Sequence, residues 1–385
     1  MSNFSDIYQN IPIEALVQQS SDTNELIVKR ILGKGEVRNL DDFAALISPL
    51  AGGYLEELAY HSNKITKNHF GKTIRLFAPI YLSNECVNIC TYCGFSRNNK
   101  IPRITIPLEQ VVSETRMLAN QGFRSLLIVA GEHPKYVSNG YVENCISHCL
   151  EIMPSISIEL GPLEVENYIP LVKAGCEGLI VYQETYHKDT YKEIHPVGPK
   201  KKYSWRMNTP QRAYAAGFRK IGLGALYGLY DWRYEALSVA AHALFMLQHC
   251  WKVQLSISVL RLRPSMGNFK PNKNYLMSNR DITQLICAFR MLLPHANIVL
   301  STREPAALRN GLVRLGVTTM SAGSSTEPGA YSNFEESNWS PKQKQPGEQF
   351  HIADDRSPRE IASMISSQGY EPIWKDFDQS LVTSS

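Results

Sequence analysis

The spacing of apolar positions changes near residue 72. Up to that point they recur at helical intervals. "TNELIVKRILGKG" and "LDDFAALISPLAGGYLEELAYHSNKITKNHFG" each carry an apolar stripe and a glycine stop, so residues 1–72 are predicted to form a helical extension. Beyond it, short apolar runs alternate with amphipathic stretches. The runs predict strands over 74–83, 125–131, 155–161, 178–184, 220–228, 254–264, 297–304 and 317–324. Helices are predicted between them, over 107–122, 141–153, 165–175, 206–216, 233–250, 281–293 and 305–316. In "SNRDITQLICAFRMLLP", Ser278 and Asn279 are cap candidates and Pro294 is the stop. Strand–helix alternation of this kind predicts an α/β fold, a (β/α)8 TIM-type barrel over residues 73–325, with a six-strand partial barrel as the alternative. Past residue 325 the chain turns polar but keeps its aromatic residues. Residues 326–385 are therefore predicted as an ordered C-terminal wrap on the barrel, with one capped helix opening at "SPREIASM". The run Lys200–Lys202 reads as a solvated loop.

Composition narrows the function. The 385 residues are 43% hydrophobic and 20% charged, with a net charge of +4, which gives no reason to expect nucleic acid or membrane as the main partner. The start, "MSNFSDIYQNIPIEALVQQSSD", has no basic segment followed by an apolar run, and no stretch of 18 apolar residues occurs anywhere. Eight cysteines in a chain this rich in core residues point to a reducing cytoplasm and a thiolate-bound metal centre rather than to disulfide staples.

Three of those cysteines stand together in "YLSNECVNICTYCGF": Cys86, Cys90 and Cys93, spaced C-x3-C-x2-C directly after the first strand. Chemistry in a parallel barrel sits at the C-terminal ends of the strands, so this loop lies on the functional face. Three thiols within eight loop residues are not explained by packing. Structural zinc is ordinarily enclosed by four ligands, and no second pair is near. Cys145 and Cys149 fall on a helix, and Cys176 precedes the fourth strand on the opposite rim. A 4Fe–4S cluster held by three thiolates leaves one iron open for a substrate or cofactor.

The motif and its position resemble those of radical S-adenosylmethionine (SAM) enzymes. From about residue 72 to 380, "AGEHP", "VYQETYH", "KIGLGALYGL", "RLRPSMG", "LSTRE", "PGAY" and "DDRSPREIASMISSQGYEPIWKDFD" further resemble the 2-iminoacetate synthases, the tyrosine lyases of thiamine thiazole biosynthesis. That resemblance implies SAM on the open iron, cleaved by an external one-electron reductant of the flavodoxin or ferredoxin type to methionine and a 5′-deoxyadenosyl radical. It implies L-tyrosine as substrate. Hydrogen abstraction from its amine would be followed by Cα–Cβ cleavage to 2-iminoacetate and 4-methylphenol, with hand-over to a thiazole synthase partner.

Site residues follow from resemblance and chemistry together. Tyr92, between two ligands, is expected to lay its ring on the adenine, the bland alternative being loop packing. Gly131 and Glu132 match the family's Gly-Glu motif for the SAM amino group, with Ala130 before them where relatives often carry Thr or Gly. Glu159 is a carboxylate ending an apolar strand, costly unless paired, and a SAM ammonium or ribose hydroxyl would suit it. Arg303 and Ser321 are expected to anchor the tyrosine carboxylate, a guanidinium matching it bidentately; a salt bridge to Glu304 is the structural alternative for Arg303. Arg261 and Arg263 are expected to point to opposite faces of the sixth strand, Arg261 toward SAM. Gln183 and Glu184 are further hydrogen-bonding candidates, whereas His242, in mid-helix, reads as a core histidine. The tyrosine lyase of iron–iron hydrogenase maturation, a tryptophan lyase, a sulfur-inserting enzyme of the biotin synthase type and a zinc scaffold are the rival readings. The hydrogenase type needs C-terminal cysteines for a second cluster, and the last cysteine here is Cys287.

Overall fold

The computed structural model describes residues 3–374 apart from 268, 336–338 and 342–346. Eight parallel strands form the centre: β1 (Thr73–Ser83), β2 (Ser125–Ala130), β3 (Ser155–Glu159), β4 (Gly178–Ile180), β5 (Lys220–Tyr227), β6 (Gln254–Arg261), β7 (Asn297–Leu300) and β8 (Thr319–Ser321). They pair in sequence order, and β1 also pairs with β8, Arg75 opposite Thr319 and Phe77 opposite Ser321. The sheet is therefore a closed barrel, and the six-strand alternative falls. β4 is shorter than its apolar run, although Val181 N and Gln183 N still donate to Gly222 O and Gly224 O, and Glu184, left-handed at φ 71°, bridges to Ala225.

Helices cover the outside. Trp232–His249 is buried on nearly every side, because the N-terminal helices pack over it and over Asn279–Leu292. Two polar ties fix that cover. Buried Gln284 donates to the carbonyls of Leu46 and Ser48, each at 2.8 Å, and Arg233 donates to Ile47 O at 2.8 Å. The helix predicted over 206–216 is two, Tyr203–Met207 and Thr209–Ala216, with Pro210 in the first turn of the second. A further helix, Lys188–Ile194, lies in the segment after β4.

The C-terminal wrap touches both ends of the barrel. At the floor, a short strand (Glu371–Ile373) pairs with the start of β1, and Trp374 packs edge-on against Phe123 at 5.1 Å. At the mouth, residues 347–354 cross from loop to loop: Gly94 N donates to Gln349 O (2.9 Å), His351 N to Pro264 O (2.9 Å) and Ala353 N to Thr302 O (2.9 Å). Asp354 clamps this strap by pairing with fully buried Arg309 and with Arg356 at 2.7 Å. The last residues of the "DDRSPRE…KDFD" motif, 375–378, lie outside the described residues. Among those described, no helix is long and apolar enough to cross a membrane.

Candidate functional site

The C-terminal ends of the strands converge under the strap. A cavity there is lined by Tyr92, Cys93, Glu159, Tyr182, Glu184, Lys200, Arg263, Arg303 and Phe350. It continues downward past Tyr81, Ser258 and Ser321. Strand parity accounts for the lower set, since alternate residues of one strand face the lumen.

Cys93 lines this cavity, and Cys86 and Cys90 share its loop, which leaves β1. Cys93 joins the apolar groups around Cys90 and Tyr92 to those around Cys86, Tyr81 and Phe95. Burial pushes the Cys93 thiol up to about 11 and Cys90 higher still, with the charge of Lys200 pulling the other way. Ligation must therefore displace protons. Among the described residues no three His, Cys, Asp or Glu side chains stand close enough to enclose a single metal ion. A cubane sets its thiolates on separate corners, one per iron. The remaining cysteines are buried elsewhere; Cys176, for example, sits against Ile156 O and Gly178 O (3.6 and 3.5 Å).

The loop is braced from β2. Gly131 N donates to Ser83 O at 2.9 Å, and a Cβ at Gly131 would stand 2.2 Å from Glu85 O and 3.3 Å from Cys86 Cβ. Only glycine permits that approach. Glu132 accepts from Val87 N through its carbonyl (2.8 Å) and from Asn88 Nδ2 through its carboxylate (2.7 Å). Asn88 also receives Lys200 N at 3.0 Å. Tyr92 lines the cavity with its hydroxyl 2.9 Å from His195 Nε2. Since His195 Nδ1 meets a carbonyl, Tyr191 O at 3.0 Å, it must carry the hydrogen. Nε2 is then the acceptor and Tyr92 the donor. Burial holds His195 well below the usual imidazole range, so the ring is neutral.

Two carboxylates face the cations. Glu184 is paired with Lys200 (2.6 Å) and Arg206 (3.4 Å). Burial would push it up, but these two cations hold it below the ordinary carboxylate range. Lys200 is thus no solvated loop residue: it points inward, while Lys201 and Lys202 remain exposed. Gly198 (φ 95°), two residues earlier, permits this turn, since a Cβ there would collide with Asn88 Oδ1 at 2.2 Å. Glu159 is pushed up to about 7 by burial and by Glu184.

Arg261 and Arg263 correct the expectation of opposite faces. Positions two apart in a strand share a face, and both guanidinium groups reach Glu304, Arg261 by Nε at 3.0 Å and Arg263 by Nη2 at 2.8 Å. Arg261 also donates to Met277 O (3.0 Å) and does not line the cavity, whereas Arg263 does. The same pairing occupies Glu304, so Arg303 has no salt bridge there. Among the described residues Arg303 makes no ion pair, and its guanidinium carbon stands 3.3 Å from the ring centre of Phe350. Ser321 accepts from Thr302 N at 3.1 Å, which leaves its hydroxyl hydrogen available to the cavity. His242 is a core residue, bonded to Tyr186 OH at 2.9 Å and stacked on Phe4. Lys200, Arg206, Tyr182 and the strap residues Gln349 and Phe350 were not legible as site residues. Only the aromatic in the polar stretch "GEQFH" hinted at the last.

Comparison with known proteins agrees with this geometry. Residues 80–239 match the Radical SAM superfamily and residues 258–371 the Biotin and Thiamin Synthesis associated domain. The 2-iminoacetate synthase of Escherichia coli (strain K12) is 39% identical, covering 100% of this chain and 99% of that one. Its Salmonella typhimurium counterpart is 38% identical with the same coverage. The solved FeFe-hydrogenase maturase HydG from Carboxydothermus hydrogenoformans superposes with a TM-score of 0.83 at 32% identity, covering 97% of this chain and 83% of that one. Methylornithine synthase, at 20% identity and a TM-score of 0.70 over 90% of this chain and 97% of that one, shares the fold.

Proposed function

The chain belongs to the 2-iminoacetate synthases of the radical SAM superfamily, and on that premise we propose that it splits the Cα–Cβ bond of L-tyrosine to 2-iminoacetate and 4-methylphenol. The observation that carries the substrate reading is Arg303, a guanidinium that makes no ion pair among the described residues and stands over the ring of Phe350 at the mouth of the barrel. The donor set fits a 4Fe–4S cluster: three thiols on one loop, a glycine cradle at Gly131, and neighbouring carboxylates already engaged by Lys200 and Asn88. When bound, cluster and SAM supply a 5′-deoxyadenosyl radical.

The chain's own residues position and shield. Cys86, Cys90 and Cys93 would hold the cluster. Tyr92, Gly131, Glu132 and Glu159 would hold SAM, and Arg263 takes the cofactor-facing place expected of Arg261. Arg303 receives the tyrosine carboxylate in a fork, and Ser321 adds its hydroxyl hydrogen. The strap excludes water above them, which matters because a radical attacks whatever lies close. A thiazole synthase as recipient, a flavodoxin- or ferredoxin-type donor and a reducing cytoplasm complete the reading. Anaerobic turnover with SAM and dithionite tests it: 4-methylphenol from tyrosine is expected. Its absence with a fully loaded cluster, or indole chemistry from tryptophan instead, would reject the assignment.

Glu159 gives this reading a pH dependence. Only its carboxylate form pairs with a SAM ammonium. With the group at about 7, the ionised fraction rises roughly tenfold between pH 6 and 8. SAM affinity measured by calorimetry should tighten by about that factor, and the Glu159→Gln variant should show a flat profile. The sign for stability without SAM is opposite. A raised carboxyl contributes fully below its unfolded range and loses that contribution as pH rises through about 7.

A further inference from the structure

Three segments ring the cysteine loop, and their charge is one-sided. Val197 O accepts from Ile89 N (3.0 Å), Met266 O accepts from Asn99 Nδ2 (2.9 Å), and Ser265 Oγ donates to Tyr92 O (2.6 Å). Residues 94–107, 196–205 and 262–277 together hold nine Lys or Arg and no Asp or Glu, in a chain whose whole excess is +4. Three of the nine point inward: Lys200 and Arg263 at the cavity, and Arg103, which is spent on the carbonyls of Asn84, Phe95, Ser96 and Asn99. The other six, Arg97, Lys100, Lys201, Lys202, Lys270 and Lys273, are exposed. Among them Val197 and Met266 present apolar surface, 39% and 44% exposed.

Neither small molecule of the reaction accounts for this collar. Tyrosine is a zwitterion, and SAM carries a net positive charge that the collar repels. What must also arrive at this loop is an electron, and electron transfer weakens steeply with distance. Resting on the function proposed above, we propose that the collar is the docking surface for an acidic one-electron donor protein, with Val197 and Met266 as its dry centre. The donor loses one electron and the cluster gains one, with no bond made or broken at the interface. A ring of cations steers an anionic partner and raises its encounter rate in a salt-dependent way, while exposed Met suits the core of such a contact.

The test uses the cluster-loaded protein, a flavodoxin of strongly negative net charge, and dithionite as a reductant that needs no docking. The double variant Lys270→Glu/Lys273→Glu alters residues outside the catalytic machinery. At low ionic strength, flavodoxin-driven bleaching of the cluster absorbance should slow by about tenfold, and the salt dependence seen in the unmodified protein should flatten. Flavodoxin binding followed by fluorescence anisotropy should weaken in parallel, and dithionite-driven bleaching should not change. An equal loss with dithionite, or no loss with flavodoxin, overturns the proposal. So does a collar that binds single-stranded DNA while flavodoxin reduction ignores the charge reversal. Should tyrosine give no 4-methylphenol while reduction by flavodoxin stays charge-dependent, the lyase reading fails and the docking surface stands.

Discussion

Replacing Cys93 with serine is expected to abolish turnover, a loss of at least ~10³-fold, while leaving the fold intact. A three-thiolate centre has no spare ligand, and among the described residues no fourth cysteine shares the loop with Cys86, Cys90 and Cys93. The cost to the scaffold is small because Cys93 lies between two small apolar clusters at the rim, outside the continuous core; a shift within about 1 kcal/mol is expected by chemical or thermal unfolding. Iron and sulfide content should collapse together with the visible absorbance. Cys176→Ser is the control, since its thiol is buried beside β3 and β4 at the other end of the barrel. It should retain iron. A Cys93→Ser protein that holds a redox-active cluster and turns over would remove the basis for the mechanism.

Arg303→Leu is expected to weaken tyrosine binding by about 2–3 kcal/mol, or roughly 30–150-fold, with SAM affinity unchanged. The guanidinium is the cavity cation without an ion partner among the described residues, so nothing else is positioned to meet the substrate carboxylate. Arg303→Lys should recover only part of the loss, because an ammonium neither forks nor stacks on Phe350. Anaerobic calorimetry with tyrosine and, separately, with SAM distinguishes a substrate anchor from general damage. Equal weakening of both ligands would make Arg303 structural.

How much of this could be read in the chain follows the range over which each signal acts. The barrel was legible because each strand and helix declares its own period, and Cys86, Cys90 and Cys93 because their spacing is local. Arg303 and Ser321 were legible because neighbouring strands in a closed barrel bring their ends together. Lys200 was not. Three consecutive lysines carry no period, and its inward turn depends on Gly198 nesting against Asn88, more than a hundred positions away. Phe350 was missed for a related reason: its place over Arg303 is set by backbone bonds to three separate loops. Arg261 and Arg263 share a face rather than opposing ones because they stand two positions apart, and both reach Glu304.

The strap has a consequence for biogenesis. Synthesis runs from the N-terminus, so the three thiols leave the ribosome well before residues 347–354 exist to roof them over. At typical elongation speeds that interval lasts on the order of tens of seconds. Throughout it the cysteine loop lacks its cover from residues 347–354, and only the helix Pro358–Ser367 and the floor strand Glu371–Ile373 follow the roof among the described elements.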